Sequence, residues 1–170
     1  MADRSTRVTQ HVRASRQQVY RALIDADAVA IWMVPDGMTS QVHEFDAREG
    51  GRFRISLTYD EPTGTGKSTA HTDTFHGRFT RLLPDQEVVE VIEFESDDAV
   101  MRGKMTVTLL LSDANGGTDV VGVHEDLPAG VLPADNETGW RMSLAKLASL
   151  VERGGLSREV AVPPGRSRIY

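Results

Sequence analysis

Three stretches hold residues whose types and spacing could carry chemistry. The first is TGTGKST at 63–69, where Gly66, Lys67 and Ser68 match the second half of a phosphate loop, G-x-x-x-x-G-K-[ST]. The first glycine of that pattern falls on Glu61, whose carboxylate repels phosphate and whose Cβ resists the sharp turn. A phosphate loop must also lead into a helix, and the residues after Ser68, TAHTDTFHGRF, are β-rich with no helical stripe. Without a helix N-terminus there is no dipole and no set of free N–H groups to hold phosphate. LLLSD at 109–113 resembles a magnesium-holding strand and aspartate, yet it runs straight into an Asn-Gly-Gly turn. The Gly-rich run is therefore expected to be a loop between two strands, bordering a cavity mouth, with Lys67 in solvent.

The second stretch is His124-Glu125-Asp126. Neighbouring side chains on a strand point to opposite faces, so His124 and Glu125 do not share one proton or one metal. If Val120 faces inward, so do Gly122 and His124, while Val121, Val123 and Glu125 face outward. The favoured reading of His124 is a core histidine satisfied by a hydrogen bond. The sharper one is a ligand anchor or a general acid/base. The third stretch is His71-x-Asp73 with His76, which has no metalloprotease-like spacing and no thiol nearby. Neither a metal nor any other cofactor is expected, and the absence of a G-x-S-x-G elbow leaves no hydrolase triad.

These residues need elements to position them. The chain has 170 residues, enough for one domain with a sizeable core. Its net charge of −6 argues against a general affinity for nucleic acid or anionic membranes. It has no cysteine, which excludes disulfides and thiol catalysis. No signal-peptide or membrane-spanning run is visible, so a cytoplasmic protein is expected.

A strand is predicted at 6–12, followed by a helix opened by a Ser15/Gln18 capping box and a second short helix ending near Trp32. Six strands follow, at 42–45, 52–59, 75–83, 88–94, 105–111 and 118–125, the last two joined by the Asn115-Gly116-Gly117 turn. Trp140, Leu144, Leu147 and Val151 then fall on one stripe of a closing helix, with a Gly154-Gly155 cap. The expected domain covers 1–153, and 154–170 is expected to be a flexible tail, the alternative being a segment that docks on a second subunit. The fold class is α+β, an antiparallel sheet covered by the C-terminal helix.

Four stretches in this order resemble the small stand-alone proteins of the Hsp90-ATPase-activator-like (AHSA1-type) family, in the START-like or SRPBCC superfamily. They are VYRALIDADAVAIWMVP, FDAREGGRFRI, FHGRFTRLLPDQEVVEVIEF, and GGTDVVGVHEDLP with GWRMSLAKLASLVE, which together span about 6–153. The resemblance implies a helix-grip (Bet v 1-like) fold, a curved sheet around the C-terminal helix with a cavity between them. It implies binding of a small hydrophobic or amphipathic ligand. The alternatives it leaves are an acid/base-assisted cyclase, isomerase or hydrolase and a chaperone or stress-response partner. A homodimer is an expectation from the family alone.

On that fold the expected ligand-binding residues are Trp32, Met38, Phe45, Phe53, Tyr59, Phe75, Phe79, Met105, Gly122, His124, Trp140 and Leu144, with His124 the candidate acid/base. Each aromatic by itself reads better as plain core, and it is the fold that shifts the balance for the set; Met33 and Met142 add adaptable apolar surface. Gly122 is expected to widen the cavity, and Gly139 to let the helix approach the sheet or a ligand. Arg54 and Arg78 are expected to face solvent.

Overall fold

The computed structural model describes residues 4–60 and 71–154. The stretch at 63–69 and the tail beyond Gly154 lie outside the described residues. The chain runs β1 (Thr6–Val12), α1 (Arg16–Leu23), α2 (Ala26–Trp32), β2 (Met38–Phe45), β3 (Arg52–Tyr59), β4 (Thr72–Leu83), β5 (Glu87–Phe94), β6 (Met105–Ala114), β7 (Gly117–Glu125) and α3 (Pro133–Glu152). A 3-10 turn at Ala99–Met101 sits between β5 and β6. All seven strands pair antiparallel in the order β1-β7-β6-β5-β4-β3-β2. The sheet curls into a half-barrel with the helices on its concave side, the helix-grip arrangement the resemblance implies.

Local chemistry explains the joints. Ser15 and Gln18 form the reciprocal capping box that starts α1. Asp25 caps α2 by accepting from the Asp27 amide at 3.0 Å. The indole N–H of fully buried Trp32 donates to the Ala22 carbonyl at 2.9 Å, which locks α2 against α1. Asn115 and Gly116 both take positive φ, 44° and 78°, the two-residue turn whose twist suits a tight hairpin. β2 begins four residues earlier than expected, at Met38, because the β2–β3 ladder continues to the Met38–Tyr59 pair.

The apolar stripe of α3 is buried at Leu144, Leu147 and Val151, and Trp140 is half-buried above them. The helix packs most closely on β1 and α2. Two glycine expectations are corrected here. A Cβ at Gly122 would meet Leu109 at 3.4 Å and Leu144 at 3.6 Å, so these leucines fill the space that the glycine leaves. Gly139 is not a point of close approach either, because a Cβ there would meet Pro35 Cγ at 3.7 Å, an ordinary contact. Replacing Gly139 with alanine therefore removes backbone entropy without a clash. The expected gain is about 1 kcal/mol, a rise in Tm of about 2–4 °C by calorimetry. An unchanged or lower Tm would contradict this account of the position.

Candidate functional site

Strand alternation places one set of side chains on the concave face. On the β2–β5 half these are phenylalanines. Phe53 and Phe79 are buried, with ring centroids 5.1 Å apart. Phe45 meets Phe79 edge-on at 5.4 Å and 84°, and Phe75 meets Phe94 edge-on at 6.5 Å and 88°. Phe75 also meets Phe53 at 6.4 Å and 77°. These are the offset and edge-to-face geometries that aromatic quadrupoles favour. Met38 and half-buried Tyr59 pair across β2 and β3 at the far end of the same surface.

On the β6–β7 half the concave face becomes polar at one point. His124 is 4 % exposed and faces inward with Val120 and Gly122, as the alternation predicts. Trp140 Nε1 and Asn136 Nδ2 both donate to His124 Nδ1, each at 3.0 Å. A nitrogen that accepts twice carries no proton, so the imidazole is the Nε2–H tautomer. That N–H points at Met105 Sδ, 3.2 Å away. Thr6 Oγ1 in turn donates to Asn136 Oδ1 at 2.6 Å. Burial pushes the His124 pKa down to about 4, so the ring is neutral at physiological pH. Its two nitrogens are fully used in tying α3 to β1, β6 and β7.

The twelve expected residues thus fall into distinct groups. Phe45, Phe53, Phe75, Phe79, Met38 and Tyr59 line the strand wall. Met105, Gly122, His124, Trp140 and Leu144 gather where α3 meets the sheet. Trp32 stands apart, inside the helix pair.

Two residues of the site were not anticipated. Asn136 lies one turn before Trp140 on the same stripe, a polar residue at a buried-face position. The other is Glu90. It is 5 % exposed, and its set on β5 is Val88, Glu90 and Ile92, all buried. Glu90 pairs with Phe79 on one side and Val107 on the other, and Val107 pairs with His124. One transverse row of the concave face therefore reads Phe79, Glu90, Val107, His124, Thr6. With strands about 4.8 Å apart, the Glu90 and His124 backbones are about 10 Å from each other. Burial raises the Glu90 carboxyl to about 7.

The outer face is electrostatically different. Arg54 and Arg78 are exposed there, as expected. Arg54 grips Glu95 with two bonds of 2.8 and 2.9 Å, and His76 Nδ1 lies 2.9 Å from the same carboxylate. The Arg54 hydrogen bond first, then that of His76, holds Glu95 down to about 2 against the opposing effect of burial. A depression of about 250 Å³ on this face is lined by Arg52, His76, Arg78, Glu93 and Lys104. It is charged and lies on the opposite side of the sheet from the phenylalanines. Asp73 faces inward and His76 outward, so the third stretch does not converge, and no metal-binding cluster is present among the described residues. No helix among them is long and apolar enough to cross a membrane.

The family model described as Activator of Hsp90 ATPase homolog 1-like protein matches residues 13–152. A crystal structure of a Chromobacterium violaceum protein is 32% identical, covering 87% of this chain and 96% of that one, with a TM-score of 0.77. A Rhodobacter sphaeroides protein is 19% identical over 88% of this chain and 92% of its own, with a TM-score of 0.72. An AHSA1-like protein from Aeromonas hydrophila is 21% identical over 98% and 99%, with a TM-score of 0.67. Among functionally curated proteins none matches.

Proposed function

The chain belongs to the family of Activator of Hsp90 ATPase homolog 1-like proteins, and from that premise we propose that it binds a small hydrophobic or amphipathic ligand between the concave face and α3. The observation that carries this reading is the edge-to-face phenylalanine wall. It lies on β2–β5, whereas among the strands α3 packs most closely on β1, at the other edge of the sheet, and α2 lies against β2. A wall of aromatic rings with few polar groups is the usual form of a small-molecule site. A thermal-shift screen of apolar and amphipathic compounds tests it. A ligand at a hundred times its Kd stabilises by about 2.7 kcal/mol, a rise in Tm of about 5–10 °C. No shift across a broad panel, together with a native mass spectrum free of co-purified small molecules, would end this reading.

A second reading, an acid/base-assisted cyclase, isomerase or hydrolase, draws on Glu90 rather than His124. A carboxyl raised to about 7 exchanges its proton near neutrality, which suits a general acid or base. Both ring nitrogens of His124 are engaged, and its pKa of about 4 leaves it a poor acid in that range. An activity carried by Glu90 would change with pH around 7 and disappear in Glu90→Gln.

A further inference from the structure

We infer that the ligand is a lipophilic organic cation, its ammonium group set against the carboxylate of Glu90 and its apolar body on the phenylalanine wall. This rests on the ligand-binding reading above and adds the chemical class.

Glu90 makes no hydrogen bond or ion pair among the described residues. Its neighbours on the concave face are Phe79, Val107, Val88 and Ile92, none of which can serve a carboxyl group. Buried polar groups are normally bonded, and an unbonded one costs roughly 1–3 kcal/mol, more if charged. Its oxygens are nonetheless not sealed in. Among the described residues, the fully enclosed side-chain atom without a partner is Ser40 Oγ, not either oxygen of Glu90. The carboxyl is thus unpartnered, and at 5 % exposure of the residue it keeps only a narrow edge toward solvent.

The surroundings select the sign of the guest. Glu90 and Asp73 are the acids buried among the described residues, and no lysine or arginine is buried with them. Aromatic faces present negative quadrupole charge, to which cations are drawn. Phe79, fully buried, is the residue directly opposite Glu90 in register, which makes it the aromatic of this row. The chain as a whole carries a net charge of −6, which attracts cations from a distance.

Proton balance gives the inference a signature. Free Glu90 holds its proton up to about pH 7. A bound cation stabilises the carboxylate, so below that pH the proton leaves Glu90 for the buffer as the ligand binds. The other ionisable groups buried or half-buried on this side of the sheet are Asp73, Tyr59 and His124 on the strands and Tyr20 on α1, and none shares the cross-strand pairs of Glu90.

The test uses phenylbutyltrimethylammonium, which has no proton of its own to lose, and its neutral tert-butyl isostere. Calorimetric titration of the protein in buffers of different ionisation enthalpy reads both affinity and proton release. The cation is expected to bind at least about tenfold more tightly than the isostere near pH 7, a difference of about 1.4 kcal/mol. It is expected to release close to one proton near pH 6, while the isostere releases none. Glu90→Gln, checked for folding by circular dichroism, loses both the preference and the release. Equal binding of the two probes without proton release overturns the inference and leaves the ligand-binding reading standing. Failure of both probes overturns it too, and the thermal-shift screen then decides the broader reading. The comparison of probes on the unsubstituted protein holds even if the variant does not fold.

Discussion

Replacing Glu90 with glutamine swings the stability difference between variant and parent by about 3 kcal/mol in the variant's favour as the pH rises from 4.5 to about 8. Burial raises the Glu90 carboxyl from 4.5 to about 7, so the native state holds this proton more tightly than the unfolded chain does. The corresponding stability is complete below pH 4.5 and is lost as the pH climbs through about 7. Glutamine cannot ionise, so the variant is spared that loss; any cost of its unpartnered amide is the same at every pH. His124 works in the other direction. Burial lowers it from 6.5 to about 4, so its contribution is complete above pH 6.5 and is lost as the pH falls through about 4. Between pH 4.5 and 6.5 the two slopes oppose each other, each near 1.4 kcal/mol per pH unit. The parent's profile is then nearly flat there as far as these two groups decide it, and Glu90→Gln unmasks the rising slope of His124. Urea unfolding of both proteins at four pH values across this range measures it. Parallel profiles for variant and parent would show that Glu90 does not titrate abnormally.

How much of this was legible in the sequence depends on which physical rule positions each residue. Local rules carried well. The Ser15/Gln18 box, the Asn115-Gly116 turn and the Trp140–Leu144–Leu147–Val151 stripe are written in adjacent residues, and the structure has all of them. The alternation that turns His124 inward is equally local. What the chain could not show locally is which partners meet across the fold. The two donors on His124 Nδ1 come from a helix that starts eight residues after β7 ends, and Met105 comes from the neighbouring strand. Without them the sequence names no partner for an inward histidine, though it favours a hydrogen-bonded core residue, and the structure supplies the partners that make it a fastener. The surroundings of Gly122 and Gly139 are illegible for the same reason, since the space around a glycine is set by distant side chains.

Glu90 differs, because the sequence carries its signal. In EVVEVIEF the set Val88, Glu90, Ile92, Phe94 is more apolar than Glu87, Val89, Val91, Glu93, so alternation assigns Glu90 to the buried face. A carboxylate among apolar residues on the inner face is the informative exception to patterning, and such exceptions concentrate at sites rather than in plain core. The Gly-Lys-Ser triplet, which announces itself far more loudly, fails on Glu61 and on the strand Thr72–Leu83 that follows it where a helix is required.

Replacing His124 with alanine is expected to cost about 3–5 kcal/mol, the largest loss of any single change at this site. Two effects add. The imidazole is 4 % exposed and rests against fully buried Met105, so its removal leaves a cavity that a strand-bound neighbour cannot collapse into. It also strips the acceptor from Trp140 Nε1 and Asn136 Nδ2. Trp140→Phe is the contrasting change. It keeps most of the ring against His124 and removes one donor, while Asn136 still serves Nδ1, so about 1 kcal/mol is expected. Combining Trp140→Phe with Asn136→Ala leaves Nδ1 with neither donor, and the double variant is expected to lose more than the sum of the singles. Nitrogen NMR of the imidazole gives an independent reading. The parent shows Nδ1 unprotonated and Nε2 protonated at neutral pH, with no titration until the pH approaches about 4. A histidine that titrates near 6.5 in the folded parent, or an alanine variant that melts with the parent, would mean that this residue is free for chemistry after all. The acid/base role would then return from Glu90 to His124, and the fastening of α3 would have to come from its leucine stripe alone.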